Sequence, residues 1–293
     1  MEFVLENAYL RVTLTTDGAQ IKSVVRKSDA VEHIWRADPA VWGYHTPILF
    51  PYTGRVKDGK ILAKGTLYEN CPQHGFARLM EHTPVCCDEN RVIMELTEND
   101  ETLKQWPYRF RLISTFTLEE DTLHHTLTVE NRDEANMPFG IGYHPAFRLP
   151  FDDQHTYEDY ELRFDEQESP LCLDTSNGGL IGDKAYYLGK NIRTVALDQQ
   201  LFANDSHCML GLQSNTLGLY EKDSGRGVVC SIRNFPYVLI WSKPGIPKFV
   251  CIEPWHSLPS PVNGSYKWTK KPAAAVLAPG FNWSTTLSIQ FVR

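Results

Sequence analysis

Apolar and polar residues alternate in short runs along most of the chain. Leu10, Val12 and Leu14 form one run, and Val92, Met94 and Leu96 form another. Phe110, Leu112, Phe116 and Leu118 are followed by Leu123, His125, Leu127 and Val129. Val228, Cys230 and Ile232 come later, then Trp283, Leu287, Ile289 and Phe291. A period of two puts one set of side chains on a single face of an extended strand, so each run predicts a half-buried β-strand. The runs are bounded by turn-forming residues such as Asp17-Gly18, Asp58-Gly59 and Asn177-Gly178-Gly179. Glu119, Glu120 and Asp121 lie between two runs and predict a hairpin tip. Helical periodicity is nearly absent. Asn99 to Trp106 allows one or two turns, stopped at Pro107. The predicted architecture is therefore all-β, a large sandwich or barrel of antiparallel strands. Such sheets can leave one face open, where aromatics on a concave surface would make a ligand groove.

Composition narrows this picture. The chain has 293 residues, 42% hydrophobic and 22% charged, ordinary globular usage. That length buries a core without disulfides or a structural metal. The 19 glycines and 18 prolines mark no flexible tail or linker, and there is no repeat or like-charge block, so residues 1–293 read as one domain. Twenty-nine basic against 36 acidic side chains give a net charge of −7, which argues against a nucleic-acid partner. Met1 to Asn7 lacks a basic region followed by an apolar run, and no segment approaches the roughly 18 apolar residues of a membrane helix. No secretory leader and no membrane partner are expected. The seven cysteines form an odd set with no C-x-x-C spacing, which fits a reduced, cytoplasmic protein with mostly buried, inert thiols. The aromatics, 14 Phe, 13 Tyr and 7 Trp, are a surplus that can serve either a core or a ligand.

Several common signatures fail. Gly140-Ile-Gly142-Tyr-His-Pro145 begins like a dinucleotide loop, but proline replaces its third glycine and no helical pattern follows. His124 and His125 are neighbours on a strand and face opposite sides, so they cannot chelate one ion together. His125 lies on the apolar face and reads as a core histidine. Cys86-Cys87 lacks zinc spacing and reads as structural. Three segments embed titratable residues in loop or strand-end surroundings: Gln73-His74-Gly75-Phe76-Ala77-Arg78, Gly140 to Phe147 around His144, and Cys251-Ile-Glu253-Pro-Trp255-His256. Glu253 follows the apolar stretch Lys248 to Ile252 and is expected at the rim of the core, where desolvation tunes a carboxyl. Two histidines and a carboxylate suffice for acid–base chemistry near neutral pH. The residues alone leave other roles open: His74 as a turn residue, His144 as packing, Glu253 as a rim charge paired with an arginine.

These segments resemble the aldose 1-epimerase (galactose mutarotase) family, and more closely its LacX-like bacterial branch. The matching pieces are Pro47-Ile-Leu-Phe-Pro51 with Gly54-Arg55, His74-Gly-Phe-Ala-Arg78 and Gly142-Tyr-His144-Pro-Ala-Phe147. They continue with Leu201-Phe202 and Asn204-Asp205, Ile240-Trp241-Ser-Lys-Pro244 and Cys251-Ile-Glu253-Pro-Trp255. The resemblance implies a galactose-mutarotase-like β-supersandwich. It also implies Glu253 as general base, His144 as general acid, His74 as a second active-site histidine and Arg55 as a ligand of sugar hydroxyls. Asp205 matches a substrate-binding aspartate, although Phe-Ala-Asn-Asp-Ser departs from the Asp-Asp-Ala-Leu associated with this branch. Arg78 either supports the site or makes a salt bridge elsewhere. Trp255 is a candidate sugar contact, and Phe76, Tyr143, Phe147 and Trp241 are candidates to line the same groove.

The expected activity is interconversion of the α and β anomers of a small-molecule aldose, with no metal or organic cofactor, by a monomer or a homodimer. The acidic balance favours a neutral sugar. Two alternatives stand beside it: a hexose-6-phosphate 1-epimerase, which needs a basic cluster at the pocket, and a carbohydrate-binding or regulatory protein without turnover. A glycosidase is disfavoured, since its usual pair of carboxylates is missing.

Overall fold

The computed structural model describes residues 1–293. Nearly every alternating run becomes a strand of one nine-stranded sheet. Its order is Ile192–Ala196, Tyr160–Glu168, Thr216–Glu221, Gly227–Ser231, Asn282–Val292, Thr122–Asn131, Phe110–Glu119, Arg91–Thr97 and Thr83–Cys87, with antiparallel pairing throughout. Residues 119 to 122 close the expected hairpin, with Glu120 at a positive φ of 50°. Leu10, Val12 and Leu14 belong instead to a four-stranded sheet of residues 2 to 32. The expected helical segment is a single turn, Asp100–Leu103, capped by the Asn99 side chain. No helix is long and apolar enough to cross a membrane.

A second large sheet runs in the order Ala185–Tyr187, Leu171–Leu173, His207–Leu210, Tyr237–Trp241, Phe249–Trp255, Gly142–Tyr143 and Ile48–Leu49. Ala146–Arg148 also pairs with Phe249–Trp255. Its central strands do not alternate in sequence because both of their faces are covered. Val238, Ile240, Val250 and Ile252 join the main core, which also holds Phe116, Leu127 and Ile289 of the nine-stranded sheet. Tyr143 ties the two sheets together: its hydroxyl, with one proton to donate, lies 2.7 Å from the His125 carbonyl and 2.9 Å from the Thr285 carbonyl, and it accepts from the Leu127 N–H. His125 is in the core as expected, stacked on Phe116 at 4.1 Å, but its Nε2 has no hydrogen-bond partner. Leu239, Trp241, Cys251, Glu253 and Trp255 occupy the alternate positions and face away from this core, with Leu239 opposite Glu253 and Trp241 opposite Cys251. The candidate site is built on that outward face.

Candidate active site

Glu253 is inside its strand rather than at the end of it. Pro254 does not end the pairing: it lies opposite Val238, and the register continues to Trp255 opposite Tyr237. Glu253 is consequently only 2% exposed instead of sitting at a rim. Across from it His144 begins the short crossing between the strands Gly142–Tyr143 and Ala146–Arg148, its N–H bonded to the Pro47 carbonyl. The strand position is possible because residue 142 is glycine: a Cβ there would lie 2.6 Å from the Trp255 indole. The Trp255 Nε1–H in turn donates to the Tyr143 carbonyl at 3.2 Å. His144 Nε2 and Glu253 Oε2 are 3.3 Å apart.

His74 completes the trio from a tight loop. Its φ is +66°, and Gly75 follows at +74° with its α-carbon so close to Phe50 that a Cβ would lie 2.2 Å from the Phe50 carbonyl oxygen. The His74 N–H donates to the Gly54 carbonyl, and the Gly54 N–H donates to His74 Nδ1 at 3.0 Å. Nδ1 is thereby an acceptor, which leaves Nε2–H as the donor. The His74 ring meets His144 edge-on at 5.3 Å and Trp255 at 5.7 Å.

A cavity of about 370 Å³ opens over this trio. Arg55, His74, Arg78, His144, Asp205, Glu253 and Trp255, the seven residues expected from sequence, all line it. Arg78 makes no salt bridge; its guanidinium lies 4.4 Å from the centre of the Tyr44 ring and Nη2 donates to the Gln73 carbonyl. Asp205 enters from a loop at φ +80°, its Oδ1 accepting from the Ser206 N–H. Among the five candidate groove aromatics, Trp241 and Trp255 line the cavity. Phe76, Tyr143 and Phe147 are core residues instead. For Tyr143 the reason is parity: it precedes His144 on an extended chain and must point to the other face.

Other lining residues carry little sequence signal. Trp42 stacks on His144 at 4.9 Å and on Phe249 at 5.5 Å, and its loop is pinned by the Trp35 indole, which donates to the Trp42 carbonyl. The dense aromatics of Trp42-Gly43-Tyr44, just before Pro47, were the available hint. Thr175, Gly178, Gly179, Ser206 and Lys243 come from connecting segments with no such mark.

The electrostatics follow from burial. Desolvation raises the Glu253 carboxyl well above its ordinary range, with the Asp205 charge adding to the rise and Arg78 opposing it. Desolvation lowers His144 to about 3, helped by Arg78. His74 is held well below 6.5 by burial, then by Arg78, His144 and Arg55. Burial thus disfavours the charged form of both members of the pair. Arg55, Arg78 and Lys243 line the cavity without any carboxylate partner. The arrangement offers a proton donor and a proton acceptor in contact, a neutral histidine donor, three cations and flat aromatic walls.

The family model described as Aldose 1-epimerase matches residues 1–269. The chain is 31% identical over 290 residues to the chromosomal LacX protein of Lactococcus lactis, covering 95% of each. A galactose mutarotase related enzyme from Lactobacillus acidophilus superposes with a TM-score of 0.95 at 28% identity, over 100% of this chain and 98% of that one. A galactose mutarotase-like protein from Lactobacillus casei gives 0.91 at 26% identity, over 99% of both.

Proposed function

Because the chain belongs to the aldose 1-epimerase family, we propose that it interconverts the α and β anomers of a hexose by acid–base ring opening at Glu253 and His144. The observation that carries this reading is the 3.3 Å contact between those two buried groups on the floor of the cavity. Acid and base must reach one sugar ring together, and neighbouring atoms of a pyranose, the C1 hydroxyl and the ring oxygen, suit a pair so close.

Glu253 as carboxylate takes the C1 hydroxyl proton while His144 as imidazolium donates to the ring oxygen. The C1–O5 bond breaks and leaves the open-chain aldehyde. Rotation about C1–C2 and reclosure on the other face give the other anomer, with acid and base exchanging roles. At the open-chain stage the proton is on Glu253 and His144 is neutral. Burial disfavours the charged forms of both groups, which is the direction in which each moves as the ring opens. One proton crossing the Glu253–His144 contact interconverts the two forms. The His74 Nε2–H and the two arginines donate to sugar oxygens, Asp205 accepts from a hydroxyl, and Trp42, Trp241 and Trp255 meet the apolar ring faces. The groups span residues 42 to 255, which supports treating the chain as one functional unit.

Arg55, Arg78 and Lys243 give the hexose-6-phosphate reading a specific basis, because unpaired cations at a pocket favour an anionic substrate. Polarimetry on a panel of α-aldoses, free and 6-phosphorylated, tests both readings. Acceleration by wild-type protein supports the epimerase. A preference for the phosphorylated sugars, lost in Arg55→Gln or Lys243→Gln, assigns the second reading. No acceleration on any member contradicts both and leaves a sugar-binding role.

A further inference from the structure

The proposed reaction uses Glu253 and His144 but not Cys251, which lies two residues before Glu253 and on the same face of the strand. Its thiol is buried and free. The Cys251 Sγ, a ring nitrogen of His144 and a Glu253 oxygen all lie within 4.8 Å of one another. We propose that Cys251, His144 and Glu253 form a zinc-binding site whose occupation shuts the pocket off from catalysis.

The donor set is one that zinc prefers, a thiolate, an imidazole and a carboxylate, and two of the three, His144 and Glu253, line the open cavity. Zinc bonds of about 2.0–2.3 Å at tetrahedral angles hold neighbouring donor atoms about 3.3–3.8 Å apart. The His144–Glu253 contact is already at 3.3 Å. The thiol sulfur lies within 4.8 Å of both. Two of the donors are locked onto one strand at alternate positions, and the third is stacked beneath Trp42, so little freedom is lost on binding. The reaction balances simply. One Zn²⁺ replaces the thiol proton of Cys251 and the carboxyl proton of Glu253, and both protons leave to solvent. The metal then holds the lone pairs that the base and the acid need, so bound zinc and ring opening exclude each other.

The chain has one other three-donor cluster, Asp152, His155 and Glu221. There Arg226 already bonds both Asp152 and Glu221. A cation in place compensates those carboxylates, and the cluster contains no thiol. Softness separates the two sites: thiolate favours Zn²⁺ and Cd²⁺ over Mg²⁺.

Two measurements test the proposal, and only one of them needs turnover. Co²⁺ titrated into metal-free wild-type protein should produce a thiolate-to-cobalt charge-transfer band in the near ultraviolet, displaced by Zn²⁺ and absent in Cys251→Ser. Zn²⁺ at micromolar concentration should suppress anomer exchange by at least about tenfold, and Cys251→Ser should need at least about tenfold more zinc for the same suppression. Mg²⁺ should do nothing. Cobalt bound without the charge-transfer band, or equal zinc inhibition of wild type and Cys251→Ser, overturns the site. Cys86 and Cys87 are the thiols not buried. The same titration in the Cys86→Ser/Cys87→Ser protein, which keeps Cys251, should therefore retain the band even where Cys251→Ser folds poorly, and its loss there overturns the site. The cobalt spectrum also separates failure of the zinc site from failure of the epimerase reading.

Discussion

His144 meets Glu253 across 3.3 Å, and His155 meets Asp152 across 2.7 Å, yet the two contacts are tuned in opposite directions. His144 and Glu253 are almost wholly buried, and Arg78 opposes the rise of Glu253 but adds to the fall of His144. Desolvation wins, and both groups are pushed toward their uncharged forms. His155 is partly exposed and bonds Asp152 and Asp223, with Glu221 at 3.5 Å. Those partners raise it to about 9. Burial pushes Asp152 and Glu221 up, but hydrogen bonds outweigh it and hold both low: His155 and Arg226 for Asp152, Arg226 and Ser224 for Glu221. A histidine and a carboxylate in contact can thus be a fixed ion pair or a poised acid–base pair. Solvent access and the number of partners decide which.

The comparison can be broken at several points. The largest effect is on turnover. Glu253→Gln and His144→Asn each remove one partner of the proposed proton transfer, and anomer exchange should fall by about 10²–10⁴ in either variant. His155→Gln should leave it unchanged. Next in size, Arg226→Met strips the cation from Glu221, which is 1% exposed. Chemical denaturation should register a loss of about 2–4 kcal/mol. Arg78→Met has no carboxylate to strand and should cost far less stability.

A smaller effect has the opposite sign. Glu253 is raised above its unfolded value of 4.5. Its contribution to stability is complete below 4.5 and lost as pH rises toward the folded value, so at pH 7 it is a burden on the fold. Glu253→Gln should therefore melt a few degrees above wild type at pH 7, about 2–4 °C for each kcal/mol recovered. An unchanged or lower melting temperature would contradict a carboxyl that burial pushes up. The smallest effect belongs to His155. Its contribution is complete below 6.5 and lost as pH rises through about 9. Melting curves between those values should fall with pH in wild type and flatten in His155→Gln.

The two regions also differ in how far the sequence exposes them. The alternating runs around residues 92, 110, 123 and 283 read correctly as strands because the nine-stranded sheet covers only one face of each. The strands Tyr237–Trp241 and Phe249–Trp255 are apolar on both faces, so alternation could not show that Glu253 and Cys251 share one side. Pro254 hid the continuation of the strand. His74, His144 and Glu253 were legible as chemistry and through the resemblance, but their meeting depends on pairings between residues far apart in the chain. Parity would have corrected one reading: Tyr143 and Phe147 fall on the opposite face from His144 and Ala146, and both are core. Trp42 and Lys243 reach the cavity from loops, where no periodicity applies. The His155 network likewise joins the loop at residue 152, the end of the strand Thr216–Glu221 and the turn after it, and left no pattern to read.

Exchange NMR on α-glucose and α-galactose, following the two anomeric signals with wild-type protein and with Glu253→Gln, addresses the central claim most directly. The poised pair predicts rapid α–β exchange with wild type and exchange at the buffer rate with the variant, although the variant folds and melts higher. Equal exchange rates for wild type and Glu253→Gln would contradict the account.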